Sequence, residues 1–185
     1  YQVGVIKAIA EFCDSEKSPF QVVTGISVGS INAASVASHA SEFKSGTLRM
    51  EAMWRNLHTH DVYRTDATAV ITNFFKWVGA IIFGMGAESH ISIFDNSPLE
   101  DLLKKRIHFD KISKAIENGD LRALAVTASG LTSGYAITFF QGQEELIGWE
   151  RARRVGLASE IKTKHLLASA ALPIIFKAQH IGSEF

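Results

Sequence analysis

Apolar positions along the chain follow two alternating rhythms. Val5, Ile6, Ile9 and Phe12 recur at helical spacing and predict a helix over residues 1–12. Residues 14–19 form a polar turn, and Phe20-Gln21-Val22-Val23-Thr24 reads as a short buried strand. A small-residue turn, Gly25 to Ser30, comes next, and the Ala- and Ser-rich run 31–40 predicts a tightly packed helix. Ser97-Pro98-Leu99-Glu100 is a helix start in which serine suits the N-cap, proline the first turn, and Glu100 can close a capping box. That helix runs toward Lys104-Lys105-Arg106, whose charges complement its C-terminal end. Residues 121–128 and 135–140 predict two strands of a hairpin around a glycine-containing turn. Residues 161–171 predict a further helix, ended by Pro173. Helices and strands in alternation point to an α/β layered domain, a central sheet flanked by helices.

Length and composition narrow the picture. The 185 residues suit one domain, and no repeat or low-complexity linker divides residues 1–185. The chain opens Tyr1-Gln2-Val3-Gly4 and closes Gly182-Ser183-Glu184-Phe185, which reads as a domain truncated at both ends. Nineteen basic residues balance nineteen acidic ones, so the basic surplus of a nucleic-acid binder is missing and no nucleic-acid partner is expected. The single cysteine, Cys13, excludes an intrachain disulfide and a cysteine-based zinc cage. A reducing compartment follows, so the expected location is cytoplasmic, with peripheral contact at a membrane as a further option.

One motif carries chemistry. Gly25-Ile26-Ser27-Val28-Gly29 matches Gly-x-Ser-x-Gly between a predicted strand and a predicted helix. A serine on so sharp a bend is strained, and its oxygen is pushed out of the sheet. Crowding at the bend is expected to require glycine on both sides, at Gly25 and Gly29. The helix that follows aims its amino end at the serine, and the backbone N–H of Val28 is the expected oxyanion donor. The pattern alone is weakly specific; its placement, strand before and helix after, is what makes Ser27 a candidate nucleophile.

Several segments together resemble one family. Val23-Thr24-Gly25-Ile26-Ser27-Val28-Gly29-Ser30-Ile31-Asn32-Ala33 resembles the nucleophile elbow of the patatin-like phospholipases. Residues 1–8 resemble the helix that follows their glycine-rich oxyanion loop, and Ser97-Pro98-Leu99 their Pro-Leu helix start. Ala168-Ser169-Ala170-Ala171-Leu172-Pro173, with Phe176, resembles their Ala-Ser-x-Ala-x-Pro segment. The matches bracket almost the whole chain in the family's order. The resemblance implies a patatin-like layered fold with a mostly parallel central sheet. It also implies a serine acyl hydrolase that attacks fatty-acyl esters of phospholipids through a Ser–Asp dyad, with no catalytic histidine, metal or cofactor. The serine corresponds to Ser27. The family's aspartate lies in an Asp-Gly motif after the Ala-Ser-x-Ala-x-Pro segment, and none of Asp14, Asp61, Asp66, Asp95, Asp101, Asp110 and Asp120 precedes a glycine. A serine hydroxyl needs a base within reach, so residues 1–185 alone are expected to be nearly inactive.

Other features stand beside plainer readings. A Ser–His–Asp esterase of soluble esters would draw on Asp110 or Asp120 with His165 or His180, although no local signature marks them. A catalytically silent lipid-binding module is a further alternative. His58-Thr59-His60-Asp61 offers two histidines on alternate positions but no evident third ligand, so no metal site is expected. The apolar segment 67–87, with Val70, Phe74, Trp77 and Ile81 at helical spacing, reads either as a core helix or as a lipid-facing lid or interfacial anchor. Its uninterrupted part is too short to span a bilayer. Lys104-Lys105-Arg106 and Arg151, Arg153 and Arg154 read as solvated helix faces, and Cys13 as a packing residue.

Overall fold

Among the described residues five strands, β1 (Val22–Ile26), β2 (Ala123–Ser129), β3 (Ala136–Gly142), β4 (Trp149–Arg151) and β5 (Arg154–Ala158), form one mixed sheet in the order β1-β2-β3-β5-β4. Parallel pairings join β1 to β2 and β3 to β5, and antiparallel pairings join β2 to β3 and β4 to β5. The structure is a computed structural model that describes residues 1–62, 96–171 and 176–182. The apolar segment 67–87, and Leu172-Pro173 of the Ala-Ser-x-Ala-x-Pro segment, lie outside the described residues.

Helices α1 (Gln2–Phe12), α2 (Val28–Ser38), α3 (Phe43–Arg55), α4 (Thr59–Val62), α5 (Ser97–Arg106), α6 (Phe109–Glu117) and α7 (Thr163–Ala170) flank the sheet. The architecture is α/β, as the alternation of patterns predicts. The central element is α2, whose residues from Ser30 to Ser38 are all buried. A helix enclosed on every side needs small residues so that its neighbours can approach, and Ala33, Ala34 and Ala37 serve that need. Its Ile31 and Ala34 share one core with Leu124 and Val126 of β2, Phe139 of β3, Leu103 of α5, Ile112 of α6 and Leu166 of α7.

Strand β1 differs from expectation in place and burial. It begins two residues later than predicted, because Phe20 leaves the sheet and packs edge-on against Phe43 of α3 at 5.7 Å. Gln21 opens the ladder instead, its carbonyl accepting from the N–H groups of Arg122 and Ala123. Only one face is covered: Val23 and Gly25 align with Leu124 and Val126, whereas Val22, Thr24 and Ile26 are exposed. The expected small-residue turn contracts to Ser27 alone, since Gly25 belongs to β1 and Val28 already to α2.

Smaller corrections have equally local causes. On α1 the inward stripe is Val3, Ile6, Ile9 and Ala10, packed on Val36, Phe43 and Met50. Val5 and Phe12 fall on the neighbouring stripe and face solvent. Helix α5 takes Asn96 as its N-cap, with Ser97 already inside the first turn; Glu100 pairs with Lys104 one turn on, at 2.6 Å, rather than closing a box. Arg151 and Arg154 face each other on the β4–β5 hairpin with Arg153 in its turn, so that basic cluster is not a helix face. Cys13 caps the end of α1, half-buried. Elements α3, α4, α6 and the β4–β5 hairpin go beyond the sequence expectations, although Phe109, Ile112 and Ile116 carry the helical spacing of α6.

Candidate active site

The chain passes from strand to helix through one residue. Ser27 follows β1, precedes α2 and takes φ 54° and ψ −131°. That region of backbone space costs a non-glycine residue roughly 1–3 kcal/mol and persists only when its surroundings over-determine it. Here they do so from both sides. The Ser27 N–H donates to Ser169 Oγ at 2.8 Å, and the Ser169 hydroxyl in turn donates to the Thr127 carbonyl of β2 at 2.7 Å. The Ser27 carbonyl accepts from the Ser30 N–H at 2.9 Å and from the Ser30 hydroxyl at 2.6 Å.

The two motif glycines prove unequal. A Cβ on Gly25 would overlap the Gly29 carbonyl and stand 2.5 Å from Ser30 Cα, so the first turn of α2 sits directly on this strand position. At Gly29 the nearest neighbour is the Gln2 side chain, 3.8 Å away. The expectation that both positions need glycine for space therefore holds for Gly25 and is corrected for Gly29. The reason is directional: the chain folds back over Gly25, while among the described residues a Cβ on Gly29 would meet only the Gln2 side chain, at ordinary contact distance.

Ser27 is half-buried between two exposed neighbours, Ile26 at 66% and Val28 at 51%. Val28 is the first residue of α2, where a backbone N–H has no intrahelical acceptor and the helix dipole favours negative charge. The start of α1 is tied to the same place. Trp54 Nε1 donates to Asn32 Oδ1, and Asn32 Nδ2 donates to Gln2 Oε1, each at 2.7 Å. This chain runs from α3 through α2 to α1, and Asn32 in its middle is buried. A buried amide with both ends bonded orients its neighbours, because leaving either end unpaired costs about 1–3 kcal/mol. Gln2, Ser30, Asn32 and Ser169 go unassigned when the sequence is read for chemistry. All four lie inside segments that carry the family resemblance, but no local pattern gives any of them a role.

No described aspartate or histidine reaches the Ser27 hydroxyl. Asp120 lies buried before the start of β2, held by Lys17 Nζ at 2.7 Å and by the Ser41 hydroxyl at 2.7 Å. These donors, Lys17 first, hold its pKa below the ordinary carboxylate value. Ser27 sits past the opposite end of the parallel β1–β2 pair, so at least four strand steps, roughly 13 Å or more, separate the two levels. Asp110 is exposed beside Lys114, and His180 is exposed. His165 is buried on α7, one turn before Ser169. Its Nδ1 accepts from the Lys162 N–H at 2.9 Å, its ring packs on Phe139 at 4.7 Å, and its buried Nε2 has no partner among the described residues. Burial, with the nearby charges of Lys164 and Lys162, lowers its pKa to about 4. None of these groups forms an acid–histidine pair with another.

Among the described residues, one group has donor atoms close enough to hold a metal ion. His58, His60 and Asp61 place one ligand atom each within 4.8 Å of one another, which supplies the third donor that the sequence left unseen. His60 and Asp61 belong to α4, so strand-like alternation is not what brings the two imidazoles together. Their rings stack at 5.3 Å, and His58 Nδ1 is engaged by the Asn56 carbonyl at 2.9 Å. The cluster is solvent-facing, with both histidines exposed.

Comparison with curated proteins and with solved structures finds no significant match. A family model described as Patatin-like phospholipase matches residues 1–185, the full length of the sequence. With that match, and with an α/β sheet flanked by helices consistent with the patatin fold, the chain belongs to the patatin-like phospholipase family.

Proposed function

We propose that this protein cleaves fatty-acyl esters of phospholipids or related lipids, with Ser27 as nucleophile and the Val28 N–H as one oxyanion donor. Family membership implies lipid acyl hydrolase activity in general terms. The observation that carries the finer reading is the conformation of Ser27: a non-glycine residue at φ 54°, set alone between strand and helix beside the free N–H groups of a helix start. In the proposed sequence of steps an aspartate takes the Ser27 proton as Oγ attacks the ester carbonyl. The oxyanion forms against Val28 N–H, the alcohol leaves with the proton, and water then hydrolyses the acyl-serine. The aspartate of this dyad belongs to an Asp-Gly motif that residues 1–185 do not contain. The same proposal assigns the apolar segment 67–87 to contact with the lipid aggregate. No helix among the described residues is long and apolar enough to cross a membrane.

The histidine-dependent alternative finds no support at Ser27: among the described residues no histidine or aspartate is hydrogen-bonded to it, His165 is bonded to the Lys162 N–H, and Asp120 is held by Lys17. Labelling of the full-length gene product with a fluorophosphonate tests the assignment. Wild type is expected to carry the label on Ser27, and Ser27→Ala to lose both the label and hydrolysis of a fluorogenic phospholipid. Retention of the label in Ser27→Ala would falsify the assignment, and a wild type that never labels would leave the silent lipid-binding module.

A further inference from the structure

The Ser169 hydroxyl occupies an unusual place. At the point where β1 leaves the sheet it stands between the Ser27 N–H and the Thr127 carbonyl, bonded to both, at 2.8 and 2.7 Å. Thr127 is the partner of Ile26, the last residue of β1, so a side chain takes over the bridging where the two strands part. The position demands a group that accepts and donates at once. A hydroxyl does this with one atom; alanine does neither, and a thiol does both weakly.

From this we infer that Ser169 is a positioning residue for the reaction, holding Ser27 in its high-energy backbone conformation from the side opposite Ser30. The inference rests on the proposed role of Ser27 and goes beyond it, by naming a second serine, 142 positions away in sequence, on which the nucleophile depends. The two clamps differ in redundancy. The Ser27 carbonyl has two donors from Ser30, the N–H and the hydroxyl, so removing the hydroxyl leaves one in place. The Ser27 N–H has Ser169 as its protein acceptor among the described residues. Without that anchor, Ser27 is free to relax toward ordinary φ, which turns Oγ away from the line of attack and shifts Val28 N–H with it. Substrate binding does not pass through this contact, so the loss falls on turnover rather than on KM.

The experiment uses the full-length protein, with fluorophosphonate labelling rate, kcat, KM and thermal midpoint read for each variant. Ser169→Ala is expected to lower kcat and labelling rate together by roughly 10- to 100-fold, the scale of a small misplacement of a reacting atom, with KM within about two-fold of wild type. Ser169→Thr keeps the hydroxyl and is expected to recover most of that loss, while Ser30→Ala is expected to lose less than Ser169→Ala. A folded Ser169→Ala protein that labels at the wild-type rate overturns the inference, as does a loss carried by KM alone. If the alanine variant does not fold, Ser169→Cys is read in its place; slowed labelling supports the inference and wild-type labelling overturns it. Failure of the underlying reading looks different, because the wild type would then carry no label on Ser27.

Discussion

A buried imidazole with one nitrogen unpartnered among the described residues has consequences that a surface histidine lacks. His165 accepts a backbone N–H at Nδ1, so its neutral form carries the proton at Nε2, and a second proton would have to displace that bond beside Phe139. Its pKa falls from the ordinary 6.5 to about 4, through burial first and then the charges of Lys164 and Lys162. The unfolded chain binds the extra proton between those two values, so stability is complete above pH 6.5 and declines as the pH drops toward 4. The full span corresponds to roughly 3 kcal/mol. His39, also buried and shifted down by desolvation, acts in the same direction. Urea midpoints are expected to fall between pH 7.5 and pH 5, and His165→Gln is expected to shrink that fall without abolishing it. An unchanged fall in the variant would remove His165 from the account.

At the scale of elements, the strand–serine–helix unit works because α2 begins directly over Gly25. The two glycines of the motif should therefore respond in opposite ways to the same added methyl. Gly25→Ala forces backbone against backbone and is expected to cost at least about 2 kcal/mol of stability. Gly29→Ala places a better helix former where there is room and is expected to leave stability unchanged or raise it by up to about 1 kcal/mol. Chemical denaturation of the two variants checks the pair, and equal destabilisation would contradict the geometry. The same unit shows why a small-residue stretch was legible as a bend but not in detail. Gly25, Ser27, Gly29 and Ser30 look alike as turn formers in sequence. In space one admits the helix, one bends, one has room beside Gln2 and one ties the bend down.

The whole molecule has a weak side. Among the described residues β1 pairs only with β2, and its outward residues Val22 and Ile26 are exposed at 53% and 66%. A flat apolar strand with an open edge is a template for pairing with another chain. Residues 1–185 are expected to self-associate at high concentration, and Val22→Lys with Thr24→Lys to suppress this by placing charge on that strand. Sedimentation velocity over a range of concentrations reads the difference; identical profiles would place the contact elsewhere. Near the point where β1 and β2 begin, charge secures the structure, with buried Asp120 holding Lys17 and Ser41, and Glu42 bonded to Lys111 and Arg49. The latter contacts, Lys111 first, lower the Glu42 pKa to about 2.

Local rules sufficed for whatever depends on neighbours in sequence. Apolar spacing marked α1, an Ala- and Ser-rich run α2, a Ser-Pro-Leu-Glu start α5, a stop at Pro173 α7 and strand pattern the β2–β3 hairpin, and a serine flanked by glycines after an apolar run marked the bend, because period, composition and turn chemistry are properties of short segments. Folding alone decided which stripe of α1 faces inward, which glycine is crowded, and which hydroxyl holds Ser27. Each of those depends on a surface brought from far along the chain: α3 against α1, α2 over β1, and α7 against the ends of β1 and β2. A one-dimensional pattern specifies the residue that can bend, and three-dimensional packing supplies the contacts that keep it bent.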